Sequence, residues 1–352
     1  MPDKQDEKYM QRCLQLAKNG LGNTYPNPLV GSVIVYKGKI IGEGFHKKIG
    51  ELHAEVNAVN SVKNKDLLKK STLYVNLEPC AHMGRTPACS KMIVDLQIPH
   101  VVIGCRDSFE KVAGKGIGMM RSAGINVTVG VLKNESRELN KRFFTYHEKK
   151  RPYLILKWAQ TLDGFIDFER SPETPIKPNW ITDEYARVSV HKMRSEEQSI
   201  LVGTNSAEKD NPSLNVRDWS GKSPLRIVLD RNMRLSENLS LFDGKIPTLV
   251  LTEKSEISKK NLDFLKVTFD DKLPKQLFSY LYSLEIQSLI IEGGTQTINM
   301  FLRANLWDEA KVYIGDNFFH KGIKAPEIKL NPVKKENISG SKLYTYRNKN
   351  AD

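Results

Sequence analysis

His53, Cys80 and Cys89 bring one imidazole and two thiols to a chain that holds four cysteines in all. Three protein ligands with the fourth position left to water is how a catalytic zinc is held, whereas structural zinc sites close all four positions. Glu55 follows His53 by two residues, and a carboxylate beside an activated water can carry its proton. On a helix, residues two apart point about 200° from each other, so Glu55 reaches that water only if the helix start is aimed at the site. Cysteines with a stray histidine are often no more than buried core. The segment Ala81-His82-Met83-Gly84-Arg85-Thr86-Pro87-Ala88 between the two cysteines is poor core material, so the pattern favours metal chemistry.

The second half of the chain contains no cysteine and points elsewhere. The apolar run Ser288-Leu289-Ile290-Ile291-Glu292 leads through Gly293-Gly294-Thr295 into a helical pattern. A Gly-Gly turn feeding a helix leaves backbone N–H groups for an anion. Such a turn is more commonly a tight connection. It gains weight here because several strands end in polar loops, as ligand-binding α/β sheets require.

The elements that must position these residues follow from periodicity. The spacing predicts a helix over residues 6–18, a hairpin of strands 31–36 and 40–45, and a helix over 53–62 carrying His53 and Glu55. A strand over 72–77 leads into the cysteine loop, and Cys89 opens a helix to Leu96. Strands at 101–104 and 127–130 flank a helix over 115–123, and one helix is predicted over 133–145. His53 and Cys89 thus both open helices, whose N-termini favour thiolate over thiol. Further strands are expected at 152–158, 199–203, 225–229 and 247–251. Alternation of strands and helices is the α/β pattern, with helices covering a mixed sheet.

A length of 352 residues suggests two domains at about 150 residues each. The polar, basic stretch Asn140 to Arg151 places the boundary so that 1–148 and 149–352 separate. No apolar run approaches the ~18 residues that span a membrane, and the polar start lacks a signal-peptide core. Unpaired cysteines beside a metal pair suit a reducing cytoplasm. Formal net charge is +13, with lysines scattered in ones and twos. That distribution reads first as a solvated surface, then as affinity for small phosphates, and only third as nucleic-acid binding.

His53-Ala54-Glu55 followed by Pro79-Cys80 and a second cysteine is the signature of zinc-dependent nucleobase deaminases. The first half resembles the deaminase domain of the bifunctional riboflavin-pathway deaminase/reductases of the RibD type. The resemblance is carried by Tyr25-Pro26-Asn27-Pro28-Leu29-Val30-Gly31, Gly42-Glu43-Gly44-Phe45-His46, Leu77 through Cys89, and Val112-Ala113-Gly114-Lys115-Gly116. The eight-residue gap between the cysteines separates this pattern from tRNA and cytidine deaminases, which use two. The second half resembles the family's reductase domain through Lys157, Leu162-Asp163-Gly164, Trp180-Ile181-Thr182, Arg194, Asp210-Asn211-Pro212-Ser213-Leu214, Arg217 and Glu292-Gly293-Gly294-Thr295. Two stretches depart from the family pattern: Arg106 to Glu110, where only Asp107 survives, and Lys177-Pro178-Asn179 in a longer insert before Trp180. The tail after Ala325 matches poorly.

The resemblance implies a cytidine-deaminase-like three-layer domain over 1–148 and a dihydrofolate-reductase-like domain over 149–352. It implies one zinc on His53, Cys80 and Cys89, with Glu55 as proton shuttle, and NADPH as the second cofactor. The substrate would be 2,5-diamino-6-ribosylamino-pyrimidinone 5′-phosphate, deaminated and then reduced from ribosyl to ribityl. Asn27, His46, His82 and Arg85 are expected around ring and phosphate, and Lys157 and Glu292 at the sugar. Arg194, Leu214, Arg217 and Glu292 would hold the second substrate. Ala159, Trp180, Ser206, Asp210, Gly293, Gly294 and Thr295 would hold the cofactor, with pyrophosphate at the helix after Gly294 and Thr295 capping that helix or touching phosphate. No Gly-x-Gly-x-x-Gly follows a first strand, which argues against a Rossmann site. Arg231, oriented by Asp230, is the expected reader of the 2′-phosphate, with Lys254 next. A homo-oligomer, dimer or tetramer, is expected, with no nucleic acid or membrane partner. Two other readings stand beside this one: a nucleic-acid deaminase with an accessory domain, and a chain whose reductase half has lost its chemistry.

Overall fold

The structure, a computed structural model, describes residues 4–81, 88–108 and 114–351. The chain packs as two compact units, Met1–Lys149 and Lys150–Asp352. In the first unit the elements are α1 (Lys4–Ala17), β1 (Gly31–Tyr36), β2 (Lys39–Phe45), α2 (Ala54–Ser61), β3 (Thr72–Leu77), α3 (Cys89–Asp95), β4 (His100–Cys105), α4 (Lys115–Ser122), β5 (Asn126–Val129), α5 (Lys133–Leu139) and α6 (Lys141–Lys149). Among the described residues, the strands form one mixed sheet in the order β2-β1-β3-β4-β5. The β1–β2 and β1–β3 pairs are antiparallel; β3–β4 and β4–β5 are parallel.

Alternation along the strands buries both faces of this sheet. Val33, Val35, Tyr74 and Val102 pack with Tyr9, Met10 and Cys13 of α1. Ile34, Leu73, Val75, Val101 and Ile103 pack on the other side with Ala58 and Val59 of α2, Ile93 of α3 and Ile117 and Met120 of α4. The result is helix, sheet and helix in three layers.

Glycine sets how closely α2 can lie on the sheet. A Cβ at Gly44 would sit 2.4 Å from the Ala58 nitrogen, and one at Gly42 would sit 2.6 Å from the Ala58 oxygen. Both approaches are shorter than any side chain tolerates, so α2 seats only on bare backbone. The Tyr25–Pro26 peptide bond, in the turn that enters β1, is cis.

The helix predicted over 133–145 is instead two helices meeting at Asn140. Asn140 is buried, accepts from the Leu29 nitrogen at 2.7 Å and donates to the Leu29 oxygen at 2.9 Å. A side chain pairing with distant backbone overrides the helical periodicity.

The second unit contains β6 (Tyr153–Gln160), β7 (Phe165–Asp167), α7 (Glu184–Glu196), β8 (Ser199–Val202), α8 (Thr204–Asp210), β9 (Leu225–Leu229), β10 (Thr248–Thr252), β11 (Leu262–Lys266), α9 (Leu273–Ser283), β12 (Ser288–Glu292), α10 (Thr295–Arg303), β13 (Glu309–Ile314), β14 (Ile323–Lys324), β15 (Lys334–Ile338) and β16 (Ser341–Arg347). Among the described residues, its large sheet runs β11-β10-β9-β8-β12-β6-β13-β16-β15, parallel from β11 to β13 and antiparallel beyond. β7 and β14 form a separate antiparallel pair.

Period-two burial again assigns the faces. Leu154, Leu156, Leu201, Leu251, Leu289 and Ile291 join Leu277, Phe278 and Leu281 of α9 and Ile298 and Phe301 of α10. Tyr153, Ile155, Ile200, Val202, Val228 and Ile290 join Met193 of α7 and Ala207 of α8. Lys157 and Glu292 continue the second series, so both side chains emerge toward α7 and α8. No helix of the described residues is long and apolar enough to cross a membrane.

Candidate active sites

In the first unit, His53 is the residue before α2, Cys80 follows β3, and Cys89 is the first residue of α3. The strand end and the two helix starts bring all three ligand atoms within 4.8 Å of one another. His53 Nδ1 lies 3.6 Å from Cys80 Sγ and 3.4 Å from Cys89 Sγ. A tetrahedral zinc with ordinary Zn–S and Zn–N bonds has N···S edges of about 3.6 Å, so the donor set fits that ion in type and spacing. The Cys89 N–H donates to Cys80 Sγ at 3.3 Å, and the Ser90 hydroxyl donates to the Cys80 carbonyl at 2.9 Å. The start of α3 therefore favours thiolate at Cys80. Hydrogen bonding from Cys89 and then His53 outweighs burial and lowers that thiol to about 4.

Glu55 lies in the first turn of α2 and is 3% exposed. The start of α2 brings the Glu55 carboxyl close enough to the cluster for Cys80 and His53 to act on its charge. Burial, followed by the Cys80 charge, raises Glu55 to about 7. His46 is buried beside His53, with ring centroids 5.5 Å apart. Its Nδ1 faces the Leu52 carbonyl at 3.2 Å and its Nε2 faces Asn27 Nδ2 at 3.0 Å. An Nδ1–H donor leaves Nε2 to accept from the Asn27 amide, which fixes that side chain. His82 and Arg85 lie outside the described residues.

Glu78 carries a role that spacing did not reveal. It is buried, and its carboxylate accepts from the backbone nitrogens of Gly114 at 3.1 Å, Ile117 at 3.2 Å and Asp107 at 3.4 Å. It ties the start of α4 and the end of the β4 segment to the strand that delivers Cys80.

In the second unit, a cleft of about 690 Å³ opens at the carboxyl ends of β6, β8 and β12, where open parallel sheets bind ligands. The β12–β6 register sets Glu292 beside Lys157. Lys157 Nζ donates to Glu292 Oε1 at 2.7 Å, and Arg194 Nη2 of α7 donates to Oε2 at 2.9 Å. Burial opposes ionisation of Glu292, but Arg194 and Lys157 outweigh it and hold the carboxyl down to about 2. Glu292 is thus held as an acceptor to both cations, one on each oxygen. Arg194 Nη1 donates to the Asn215 carbonyl at 3.3 Å, while its buried Nε has no partner among the described residues.

Leu214 lines the cleft with a φ of +49°, a conformation a leucine keeps only when its surroundings impose it. Next to it, the Arg217 N–H donates to His191 Nδ1 at 3.3 Å, leaving His191 Nε2–H to donate to Asp218 Oδ2 at 3.2 Å. Burial and the neighbouring Arg194 and Arg217 lower His191 to about 4, so it stays neutral in this role.

Ala159, Trp180, Ser206, Asp210, Gly293, Gly294 and Thr295 all line this cleft. Gly293 has a φ of +147°, and a Cβ there would approach Ser206 Oγ to 3.3 Å, so the turn is reserved for glycine. The Gly294 N–H donates to Ser206 Oγ at 3.0 Å, which leaves it paired and not bare. Gly294, not Thr295, is the N-cap of α10, and the Thr295 hydroxyl donates to the Lys324 carbonyl at 2.5 Å. The turn and the start of α10 line the cleft, with Ser206 holding the turn's Gly294 N–H.

Arg231 is placed differently from the expectation. Its Nε pairs with Glu253 Oε2 at 2.9 Å, and neither Arg231 nor Lys254 is among the described residues lining the cleft. Asp230 does not orient it; the Asp230 carboxylate accepts from the backbone nitrogens of Arg234 at 3.0 Å and Leu235 at 2.9 Å. Arg234 lines the cleft, with Nη2 donating to Asn205 Oδ1 at 2.7 Å. Arg170, His191 and Arg234 are among the cleft residues that sequence reasoning missed. Most of their partners are remote in sequence, and His191, one turn before Arg194 on α7, is the only one of the three with a positional hint.

Fold and sites together define a zinc-binding deaminase domain followed by a reductase domain. Residues 3–105 match the cytidine and deoxycytidylate deaminase zinc-binding region, and residues 152–319 match the RibD C-terminal domain. The riboflavin biosynthesis protein RibD of Aquifex aeolicus is 38% identical over 93% of this chain and 92% of its own length. That of Bacillus amyloliquefaciens is 38% identical over 88% of this chain and 84% of its own. A Thermotoga maritima crystal structure, described as a diaminohydroxyphosphoribosylaminopyrimidine deaminase/5-amino-6-(5-phosphoribosylamino)uracil reductase, superposes with a TM-score of 0.87 at 36% identity, covering 97% of this chain and 98% of that one. The chain belongs to the RibD family of riboflavin biosynthesis proteins.

Proposed function

We propose that the first unit deaminates 2,5-diamino-6-ribosylamino-4(3H)-pyrimidinone 5′-phosphate, and that the second reduces the product to 5-amino-6-ribitylamino-uracil 5′-phosphate. One observation carries the reading: a His53–Cys80–Cys89 cluster with buried Glu55 in one unit, and a cationic cleft built on Lys157, Glu292 and Arg194 in the other. When bound at the first cluster, zinc supplies Lewis-acid activation of a water at neutral pH. Glu55 takes the proton of that water and returns it to the departing ammonia. Asn27, held by His46, binds the pyrimidine ring.

In the second unit NADPH supplies the hydride that reduces C1′ of the opened sugar. Glu292 binds Lys157 and Arg194 at once and keeps the Lys157 ammonium aimed into the cleft, where it donates the proton. Arg217, placed by His191, binds the substrate phosphate, and Arg194, which lines the same cleft, lends its charge there. Leu214 presents its strained backbone to the same substrate. A cytoplasmic setting keeps Cys80 and Cys89 reduced for metal, and a homo-oligomer remains part of the reading.

The test supplies the diamino substrate with and without NADPH and identifies products by mass. Without NADPH the deaminated ribosyl compound should accumulate; with it, the ribityl compound. Ammonia release that required NADPH, or a product left unreduced by it, would overturn the assignment.

We propose that Arg234, which lines the cleft, takes part in cofactor discrimination in place of Arg231. Arg234→Ala is expected to lower kcat/KM for NADPH by about ten- to hundredfold and to leave NADH nearly unchanged, the effect of one lost phosphate contact. Arg231→Ala, outside the cleft, should change both little. Equal losses for both cofactors in Arg234→Ala would mean that this arginine supports the loop after β9 and reads no phosphate.

A further inference from the structure

Arg170 stands in no motif, at the start of the insert where this chain departs from the family pattern. Its side chain is only 6% exposed. Nε donates to Asp167 Oδ2 at 2.8 Å, Nη2 to Asp210 Oδ1 at 2.7 Å, and Nη1 to the carbonyls of Lys209 at 2.8 Å and Lys177 at 3.1 Å. The other oxygen of Asp167 accepts from the Phe168 nitrogen at 3.0 Å and from Asn179 Nδ2 at 3.4 Å. One guanidinium thus joins three pieces of the cleft wall: the end of β7, the insert that carries Pro178 to Trp180, and the last turn of α8. Only a planar fork reaches acceptors on so many sides.

Asp210 needs such a partner. It closes α8, where the helix dipole disfavours a carboxylate, and burial raises its pKa while Arg170 pulls it back. Its side chain remains 33% exposed at the cleft, and Oδ2 has no partner among the described residues.

We propose that Arg170 is a positioning residue for cofactor binding: it fixes Asp210 through Oδ1, leaves Oδ2 to accept from a ribose hydroxyl of the dinucleotide, and braces the insert against α8. The proposal rests on the reading that Asp210 faces the cofactor. The insert then does more than lengthen a loop, because it brings its own anchor for a cofactor ligand.

A double-mutant cycle on the full zinc-loaded chain tests this, with the NADPH dissociation constant read by calorimetry. Arg170→Gln and Asp210→Asn are each expected to weaken NADPH about tenfold, with kcat at saturating NADPH within about twofold, and the double variant to be no more than about twofold worse than the weaker single. If Arg170→Gln does not fold, Arg170→Lys enters the same cycle under the same criterion. An unchanged constant in Asp210→Asn overturns the Asp210 reading and the proposal with it. A weakened Asp210→Asn beside an unchanged Arg170 variant overturns the proposal alone. Additive losses near a hundredfold would show that Arg170 acts independently of Asp210, and would also overturn it.

Discussion

Glu55→Gln is expected to retain one zinc per chain and to lose ammonia release by roughly 10²–10⁴-fold, the usual worth of a positioned proton carrier. The two side chains have the same shape, so the buried first turn of α2 keeps its packing, and no atom of the His53, Cys80 and Cys89 set is touched. What disappears is a group able to take a proton and return it. Cys80→Ser makes the contrast: a hydroxyl is a poor zinc ligand at neutral pH, so metal and ammonia release should vanish together. Zinc content by atomic absorption, read beside ammonia release, separates the two. Full zinc occupancy in Cys80→Ser would remove Cys80 from the ligand set, and a Glu55→Gln enzyme within tenfold of wild type would pass the shuttle to another group. NADPH oxidation with the deaminated substrate should continue in both variants, since Lys157, Arg194 and Glu292 belong to the other unit.

Glu292→Gln should be the most damaging single change in the second unit. The carboxylate is held between Lys157 at 2.7 Å and Arg194 at 2.9 Å, each bonding its own oxygen. Glutamine offers one acceptor and turns an N–H toward the second cation, leaving two positive charges together in a buried site. Loss of one member of such a set costs about 3–5 kcal/mol. Linkage gives a similar figure. A carboxyl lowered from 4.5 to about 2 contributes stability that is present above its unfolded pKa and lost as pH falls through its folded one, on the order of 3 kcal/mol. Wild type should therefore lose this contribution between about pH 4.5 and 2, while Glu292→Gln should lack it throughout. The reductase should drop by at least about a hundredfold because Lys157 is no longer aimed. Thermal unfolding and NADPH oxidation at neutral pH, with ammonia release as internal control, check this. Reductase activity within tenfold of wild type would show that Lys157 is positioned by something other than Glu292.

The chemistry of the first unit was legible in the sequence because its residue types are rare and their spacing is specific. Two cysteines with eight residues between them and His-Ala-Glu upstream have few other uses, and the apolar periods around them marked each strand and helix start that brings them together. Gly42 and Gly44 belonged to the family pattern, but the reason for them, a helix backbone packed against β2, exists only in three dimensions. The undivided helix expected over 133–145 shows the same limit. Period sees apolar spacing, and it cannot see that Asn140 bonds the backbone of Leu29, 111 residues away.

In the second unit the sequence named Lys157, Arg194 and Glu292, and the tertiary structure decided what each can do. An arginine, a lysine and a glutamate read singly suggest a phosphate ligand and two acids. Set on adjacent parallel strands and a covering helix, they become one ion cluster in which the glutamate accepts from both cations. Arg231 and Arg234 show why. The two are three residues apart in one loop, and nothing in composition separates them; the fold pairs Arg231 with Glu253 outside the cleft and turns Arg234 into it. The sequence alone therefore determined which chemical groups this protein possesses and the strands and helices that carry them, because those follow from residue type and short-range period. Which charges face each other, and which face a ligand, was decided only by the tertiary structure, because pairing energies depend on distances between residues that the chain order does not contain.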